Sequence, residues 1–240
     1  MLCYILIIFS LYCSSFTVLS ANLKKVLCSY DDEQCLSEST KAIYPIIVAG
    51  RPGEVEASDP LHLDEIFIEE SNFKFVLSKA KMTGLQCCTV KDVLVTSAKA
   101  YFIYQIWCPS ITIESTYVAD GEFEGISFEG KGTRQVTFNN YDIWLKGYYD
   151  KYNDEAGDLH TQVTNFDIQL RAEEVLQNVT GLCFGGQKSI DGALEEKLKQ
   201  LEIHIRKPIM YKFLQKYIKN LNSFLKIVPI KDIHYQLVAK

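Results

Sequence analysis

The sequence predicts an α+β fold in which a highly curved antiparallel β-sheet wraps around one long C-terminal α-helix. Over about a hundred residues from Phe73 onwards, apolar residues alternate with polar ones, which is typical of strands with one buried face. Apolar residues then recur at steps of three and four from Ile190 to Val228, a helix of roughly 57 Å at about 1.5 Å per residue. A helix of that length is best buried if the sheet curves around it.

The N-terminal residues 1–20 are predicted to be a secretory signal peptide. They carry no charge, contain the apolar run from Tyr4 to Phe9 and lead into small residues at Ser20 and Ala21, as signal-peptidase sites do. A membrane anchor is the alternative, but the apolar run is short and serines interrupt the segment. We therefore expect a secreted, extracellular protein with one mature domain, residues 21–240.

The cysteines outside the signal peptide are expected to form disulfides in an oxidising compartment. Cys28 and Cys35 are predicted to close a short loop ahead of the first helix. A bond between the adjacent Cys87 and Cys88 would need a strained ring, which favours the two remaining cysteines as their partners. These are Cys108 and Cys183, and the sequence leaves the pairing open.

Asn178-Val179-Thr180 is a sequon for N-glycosylation, which agrees with secretion.

The first helix is predicted over about residues 32 to 49. Ser29 and Asp32 resemble a capping box, and apolar residues at helical spacing follow until Gly50. Strands begin after the turn at Asp59-Pro60. Further strand segments are Phe73–Leu77, Val93–Val95, Tyr101–Tyr117, Phe123–Phe128, Val136–Phe138, Tyr141–Leu145 and Phe166–Leu170. Turns are predicted at Asp120-Gly121, at Asn139-Asn140 and from Asn153 to Gly157, which gives a long antiparallel meander.

The C-terminal helix should kink or divide at Pro208 and end before Pro229, because proline lacks a backbone donor. A coiled-coil or bundle helix is the alternative to a helix wrapped by the sheet. The apolar period is not a clean heptad, which favours the wrapped helix.

Composition and motifs argue against several functions. The net charge is −5 and the lysines are dispersed, whereas nucleic-acid binding needs a clustered basic face. The segment Gly125–Gly130 is one residue too long for a nucleophile elbow, and Gly130–Gln135 lacks the third glycine of a dinucleotide loop. The histidines are isolated from the cysteines and from one another. We expect no enzyme, no cofactor and no metal site.

Several short motifs, in their order along the chain, resemble the insect takeout and juvenile-hormone-binding proteins, including the haemolymph carriers and the circadian clock-controlled proteins. The motifs begin with the signal peptide and the Cys28/Cys35 pair. They continue with Asp59-Pro60-Leu61 leading into Ile66–Ile68, Thr83-Gly84-Leu85, Tyr117, Gly130-x-Gly132, Lys207-Pro208 and Val228-Pro229-Ile230. The resemblance covers nearly the whole mature chain.

This resemblance implies one half of the tubular lipid-binding fold, with an apolar tunnel between sheet and helix. The implied function is that of a secreted carrier of a small hydrophobic ligand, such as a juvenile-hormone-like terpenoid, a fatty acid or a semiochemical. Members of the family are linked to hormone transport, feeding and daily rhythm. No nucleic-acid partner and no stable membrane insertion are expected, and any receptor is unknown.

Inward-facing residues of the predicted elements are the candidates to line the tunnel. They are Ile43, Ile47, Phe73, Phe75, Leu77, Val136, Phe138, Ile143, Ile209 and Phe213. The alternative function is a secreted protein–protein interaction module without a ligand cavity, which predicts a filled interior and an exposed apolar patch.

Overall fold

Nine strands and two helices make up the described part of the chain, which comprises residues 23–26, 28, 32–70, 72–96, 99–185, 192–232 and 235–237 of a computed structural model. In chain order they are β1 (Leu23–Lys25), α1 (Glu33–Ala49), β2 (Leu61–Glu69), β3 (Phe73–Thr83), β4 (Thr89–Thr96), β5 (Tyr101–Phe123), β6 (Ile126–Asn153), β7 (Leu159–Val179), β8 (Leu182–Phe184), α2 (Gly192–Ile227) and β9 (Tyr235–Leu237). Single 3₁₀ turns lie at Leu85–Cys87 and Ile230–Asp232.

Seven of these strands form one antiparallel sheet. Its path is β2-β3-β5-β6-β7, with β4 paired to the first part of β5 and β8 paired to the first part of β6. The pairing of β5 with β6 runs from Tyr101 opposite Tyr148 to Phe123 opposite Ile126. These two strands form the longest paired segment of the sheet. The two-stranded sheet of β1 and β9 is separate.

The sheet is highly curved and wraps around α2, as the alternating pattern and the length of the helix predict. Buried side chains from alternate positions of the strands belong to the same apolar cluster as the buried face of α2. On α2 this face includes Leu201, Ile205, Ile209, Phe213, Tyr217, Leu221 and Phe224. The helix is therefore the centre of the fold rather than part of a coiled coil.

Helix α2 runs unbroken from Gly192 to Ile227 with Pro208 inside it, so the division that Pro208 could have caused is absent. The predicted end before Pro229 is confirmed.

Neither helix in the described part of the chain is long and apolar enough to span a membrane.

Helix α1 begins where its sequence predicts. The Asp32 side chain caps the helix by accepting a hydrogen bond from the backbone amide of Cys35 at 2.9 Å, and Gly50 ends the helix with a φ of 70°. The predicted Cys28–Cys35 disulfide is present just ahead of this first turn. Ser29 and the predicted signal peptide, residues 1–20, lie outside the described residues.

Two predicted turns are wrong because the strands continue through them. At Gly121 a side chain would stand 2.4 Å from the carbonyl oxygen of Asn72, so this glycine permits a close strand approach instead of a turn. Asn140 interrupts β6 only locally, with a φ of 48°, which asparagine tolerates better than most residues.

The turn between the two longest strands lies in a segment predicted to be strand. Glu124 and Gly125 have φ values of 50° and 78° and connect β5 to β6 as a two-residue hairpin loop. The predicted loop from Asn153 to Gly157 does separate β6 from β7.

Cys88 is bonded to Cys108, while Cys183 carries a free thiol, so the prediction that Cys183 is a disulfide partner is wrong. Strand register explains the pairing. Thr89 of β4 lies opposite Trp107 of β5, which brings the residues next to them together. Cys183 lies on β8 opposite Glu129 of β6.

Candidate functional site

An apolar cavity of about 140 Å³ lies between the two helices and the inner face of the sheet. Helix α1 covers one side of it, and the C-terminal half of α2 forms another. Residues from both helices and from β5 and β6 line it, among them Ile43, Ile47, Phe102, Tyr149, Tyr217 and Leu221. The lining is therefore almost entirely hydrocarbon and aromatic.

Helical spacing explains how α1 supplies one wall. Its lining residues recur at steps of three and four, so they share one face of the helix. They are Leu36, Ser39, Thr40, Ile43, Tyr44 and Ile47. Because the opposite face of α1 is more exposed, the burial of this face fixes the orientation of the helix against the cavity.

Three buried tyrosines at the cavity stay neutral. Burial is the largest cause that raises the pKa of Tyr44 well above its ordinary value, and it raises the pKa of Tyr104 to about 12. Burial also raises the pKa of Tyr217. The Tyr44 hydroxyl donates a hydrogen bond to the carbonyl oxygen of Leu85 at 3.1 Å, so it anchors α1 to the 3₁₀ turn. Apart from the exposed Lys151, the cavity wall is thus polarisable and uncharged.

All ten residues predicted to line a tunnel are buried, and all belong to the single apolar cluster. Ile43 and Ile47 line the cavity directly. The others lie on the inner face of the sheet or on α2 and form the core beyond the cavity; they are Phe73, Phe75, Leu77, Val136, Phe138, Ile143, Ile209 and Phe213. Their role as ligand contacts stays a prediction.

The sequence analysis missed the aromatic side of the cavity. A glycine within a strand often marks a close approach of another group, so Gly147 of β6 could have indicated this side of the cavity. A side chain at Gly147 would come within 2.1 Å of the Phe102 ring. The missing side chain lets this ring lie against β6, and the ring also packs on Tyr104 of its own strand, with ring centroids 4.4 Å apart. On β6, Tyr149 lines the cavity, whereas Tyr148 and Tyr152 are exposed.

A larger groove of about 770 Å³ lies on the surface between β7 and α2. Its lining includes Asn165, Gln215, Lys219 and Lys226, so an apolar molecule bound there would desolvate amides and ammonium groups without pairing them. The apolar cavity is therefore the better site for a hydrophobic ligand, although it is smaller.

The described residues contain no group of three or more histidine, cysteine or acidic side chains that could hold a metal ion. Two histidines, His160 and His204, have ring nitrogens within hydrogen-bond distance of other groups in the fold. The Nδ1 atom of His160 lies 2.9 Å from the carbonyl oxygen of Leu225, and the Nε2 atom of His204 lies 2.7 Å from a carboxylate oxygen of Glu70.

Comparisons with known proteins agree with this architecture. The sequence model of a family described as haemolymph juvenile hormone binding protein (JHBP) matches residues 4–234. The crystal structure of Takeout 1 from Epiphyas postvittana is similar, with a TM-score of 0.75 and 26% identity over 85% of this chain and 96% of that chain. A lipopolysaccharide binding protein structure matches with a TM-score of 0.43 and 9% identity over 82% of this chain and 39% of that one. No curated protein sequence matches.

Proposed function

The chain belongs to the haemolymph juvenile hormone binding protein family, and from this premise we propose that it is a secreted carrier that encloses a small hydrophobic ligand. The family is one of hydrophobic ligand carriers, binding proteins rather than enzymes. The observation that supports the proposal for this chain is the apolar cavity between α1, α2 and the sheet.

Desolvation supplies the binding free energy in such a site. Burial of apolar surface contributes about 25 cal/mol per Å², so removing ~300 Å² of ligand surface from water contributes roughly 7 kcal/mol before ordering costs. This corresponds to an affinity in the micromolar range. The tyrosines at the cavity are neutral, and the lining residue Lys151 is exposed to solvent, so a ligand can enter without stripping the water from a buried charge.

The bound state needs more room than the cavity provides. A volume of about 140 Å³ is close to that of an engineered cavity that holds a benzene ring. A terpenoid or a fatty acid is longer, so we propose that its chain separates core side chains along α2. Ile209 and Phe213, which are buried on that helix, then become contacts of the ligand.

Secretion and glycosylation are part of the proposal. Disulfides at Cys28–Cys35 and Cys88–Cys108 suit an oxidising compartment. Asn178 is exposed on β7, where a glycan would extend into solvent.

An interaction module is the second candidate, and one surface feature favours it. Phe67 and Val118 lie on either side of Val76 on the outer face of the sheet, and their side chains are 58% and 56% exposed. Three apolar residues in a row across three strands form a small apolar patch. The cavity favours the carrier, because a solid interaction module needs none.

A thermal unfolding experiment on the secreted mature protein tests the carrier. A ligand that binds only the folded state at 100 times its Kd adds about 2.7 kcal/mol of stability. For a domain of this size that raises Tm by roughly 5–10 °C. We expect such a rise with at least one terpenoid or fatty acid, together with a stoichiometric apolar molecule in solvent extracts analysed by mass spectrometry. An empty protein whose Tm no apolar compound raises would favour the interaction module.

Two matched substitutions on α1 locate the binding site. Ile47→Phe adds volume inside the cavity, and overpacking of this kind costs about 1–3 kcal/mol, so we expect ligand affinity to fall roughly tenfold. Ile46→Phe adds the same volume at a half-buried position beside the cavity and should leave affinity within about twofold. Equal effects of the two substitutions would contradict a ligand in this cavity.

A further inference from the structure

A polar cluster is enclosed by apolar side chains at the other half of α2. Glu202 is 2% exposed, and its carboxylate accepts hydrogen bonds from Arg206 Nε at 3.0 and 3.1 Å and from Arg206 Nη2. The Arg206 guanidinium also lies over the Phe138 ring, 5.2 Å from its centroid. This ion pair faces the inner surface of β6, whose Arg134 and Tyr141 side chains interact with it electrostatically.

Three buried polar atoms around this ion pair find no hydrogen-bond partner among the described residues. They are Nη1 of Arg134, Oγ of Ser115 and the hydroxyl oxygen of Tyr141. These residues are only 3%, 8% and 0% exposed, respectively. Leaving a buried donor unpaired costs about 1–3 kcal/mol, and more for a charged group, so three such atoms in one region indicate a group that binds there.

Strand pairing brings two of these donors together. Ser115 of β5 lies directly opposite Arg134 of β6, and both side chains are on the inner face of the sheet. Side chains in directly opposite positions have Cβ atoms about 4.5–5.5 Å apart. From neighbouring positions on one face, a guanidinium N–H and a hydroxyl are both available as donors to one oxygen-bearing group.

The charge of the cluster specifies which group fits. The charged side chains that act on Arg134 are Glu202 and Arg206, and the Glu202 carboxylate is already paired with Arg206, so the cluster of two cations and one anion keeps one positive charge unbalanced. Burial lowers the pKa of Arg134 to about 10, so the side chain is still a cation at neutral pH. A buried cation without a counterion favours an anionic ligand group over a neutral one.

We propose that Arg134 and Ser115 form an internal carboxylate site, so that the preferred ligand is a long-chain hydrophobic acid rather than its neutral ester. The inference rests on the proposed carrier function and narrows its ligand class. The carboxylate accepts hydrogen bonds from Arg134 Nη1 and from the Ser115 hydroxyl.

The position of the site suits an amphipathic chain. Arg206 beside the polar cluster and Tyr217 in the cavity wall lie on the same helix, about 16 Å apart at about 1.5 Å per residue. The inward-facing side chains between them, Ile209, Met210, Phe213 and Leu214, are apolar and buried. An acid held at Arg134 can therefore run its hydrocarbon chain along α2 towards the cavity.

Competition binding with oleic acid and methyl oleate against a fluorescent apolar probe, at neutral pH and below micelle-forming concentrations, tests the site. The wild-type protein should bind the acid at least about tenfold more tightly, because a charge-assisted hydrogen bond favours the carboxylate. Arg134→Met should reduce this preference to about twofold or less while the ester binds as before. Ser115→Ala should reduce it by about threefold.

A control on the same strand separates this site from general charge effects. Lys131→Met removes one positive charge from an exposed position of β6 and should leave the acid preference unchanged. Equal affinity of the wild-type protein for acid and ester would overturn the carboxylate site but leave the carrier intact. An unchanged acid preference in Arg134→Met or Ser115→Ala would also overturn it. If neither compound binds and no terpenoid or fatty acid raises Tm, the carrier function fails together with the site.

Discussion

Asp59 shows how a single side chain fixes a loop. Its carboxylate accepts a hydrogen bond from the backbone amide of Gln86 at 2.8 Å and from that of Gly84 at 3.1 and 3.3 Å. Gly84 has a φ of 113°, and a side chain there would stand 2.3 Å from the carbonyl oxygen of Ser110. The motifs Asp59-Pro60-Leu61 and Thr83-Gly84-Leu85 are therefore hydrogen-bonded to each other in the fold.

We expect Asp59→Ala to lower the free energy of unfolding by roughly 2 kcal/mol, because it removes a charged acceptor from two backbone amides. Urea denaturation monitored by fluorescence measures the change. Asp64→Ala, at an exposed position of β2, is the matched control and should change stability by no more than about 0.5 kcal/mol. Equal destabilisation by both substitutions would refute the structural role of Asp59.

At the scale of elements, side chains of α2 form hydrogen bonds with the edge of β7 that faces away from β6. The Asn222 amide accepts from the backbone N–H of Val163 and donates to its carbonyl oxygen, both at 2.8 Å, as a neighbouring strand would. Three residues towards the start of β7, His160 bonds to the carbonyl oxygen of Leu225 in the last turn of α2. These contacts hold the helix at a fixed position along the sheet and protect an edge that could pair with another chain.

Asn222→Ala should therefore destabilise the protein by roughly 1–3 kcal/mol, because it leaves two partly buried backbone groups of Val163 unpaired. Hydrogen exchange gives a local measurement, and the Val163 amide should lose protection before amides at the centre of β5 and β6. Ser223→Ala removes only an exposed bond to Lys219 within the helix and is the control. Unchanged protection of Val163 in Asn222→Ala would contradict this edge contact.

At the scale of the whole molecule, one apolar cluster includes residues of both helices and of most strands of the large sheet. The centre of that cluster is α2, so the sheet has no separate core that could persist once the helix leaves. A single shared core predicts cooperative unfolding even in a chain of 240 residues.

We expect fluorescence and far-ultraviolet circular dichroism to report the same unfolding midpoint in urea. The two tryptophans, Trp107 and Trp144, lie on β5 and β6 and report the sheet, whereas helical dichroism reports α1 and α2. Separate midpoints would mean that the helices and the sheet unfold independently, which the shared core does not allow.

The faces of the elements could be predicted from the sequence, because local periodicity alone decides which side of a helix or strand is apolar. For that reason the limits of α1, the wrapped position of α2 and the burial of all ten candidate interior residues agree with expectation. Loop signals were less reliable. Gly121 and Asn140 resemble turn residues in sequence, but Gly121 is paired within the ladder, and the ladder resumes on either side of Asn140.

Partners across the sheet were decided only by the tertiary structure. Cys88 bonds to Cys108 because the register of β4 on β5 brings them together, and the same kind of register sets Ser115 opposite Arg134. The cavity arises where α1 packs over aromatic residues of strands more than fifty positions further along the chain. The sequence by itself determined which side chains face inwards, through the local period of each element. Only long-range strand register and helix packing determined which of them meet, because those contacts join residues that no local pattern relates.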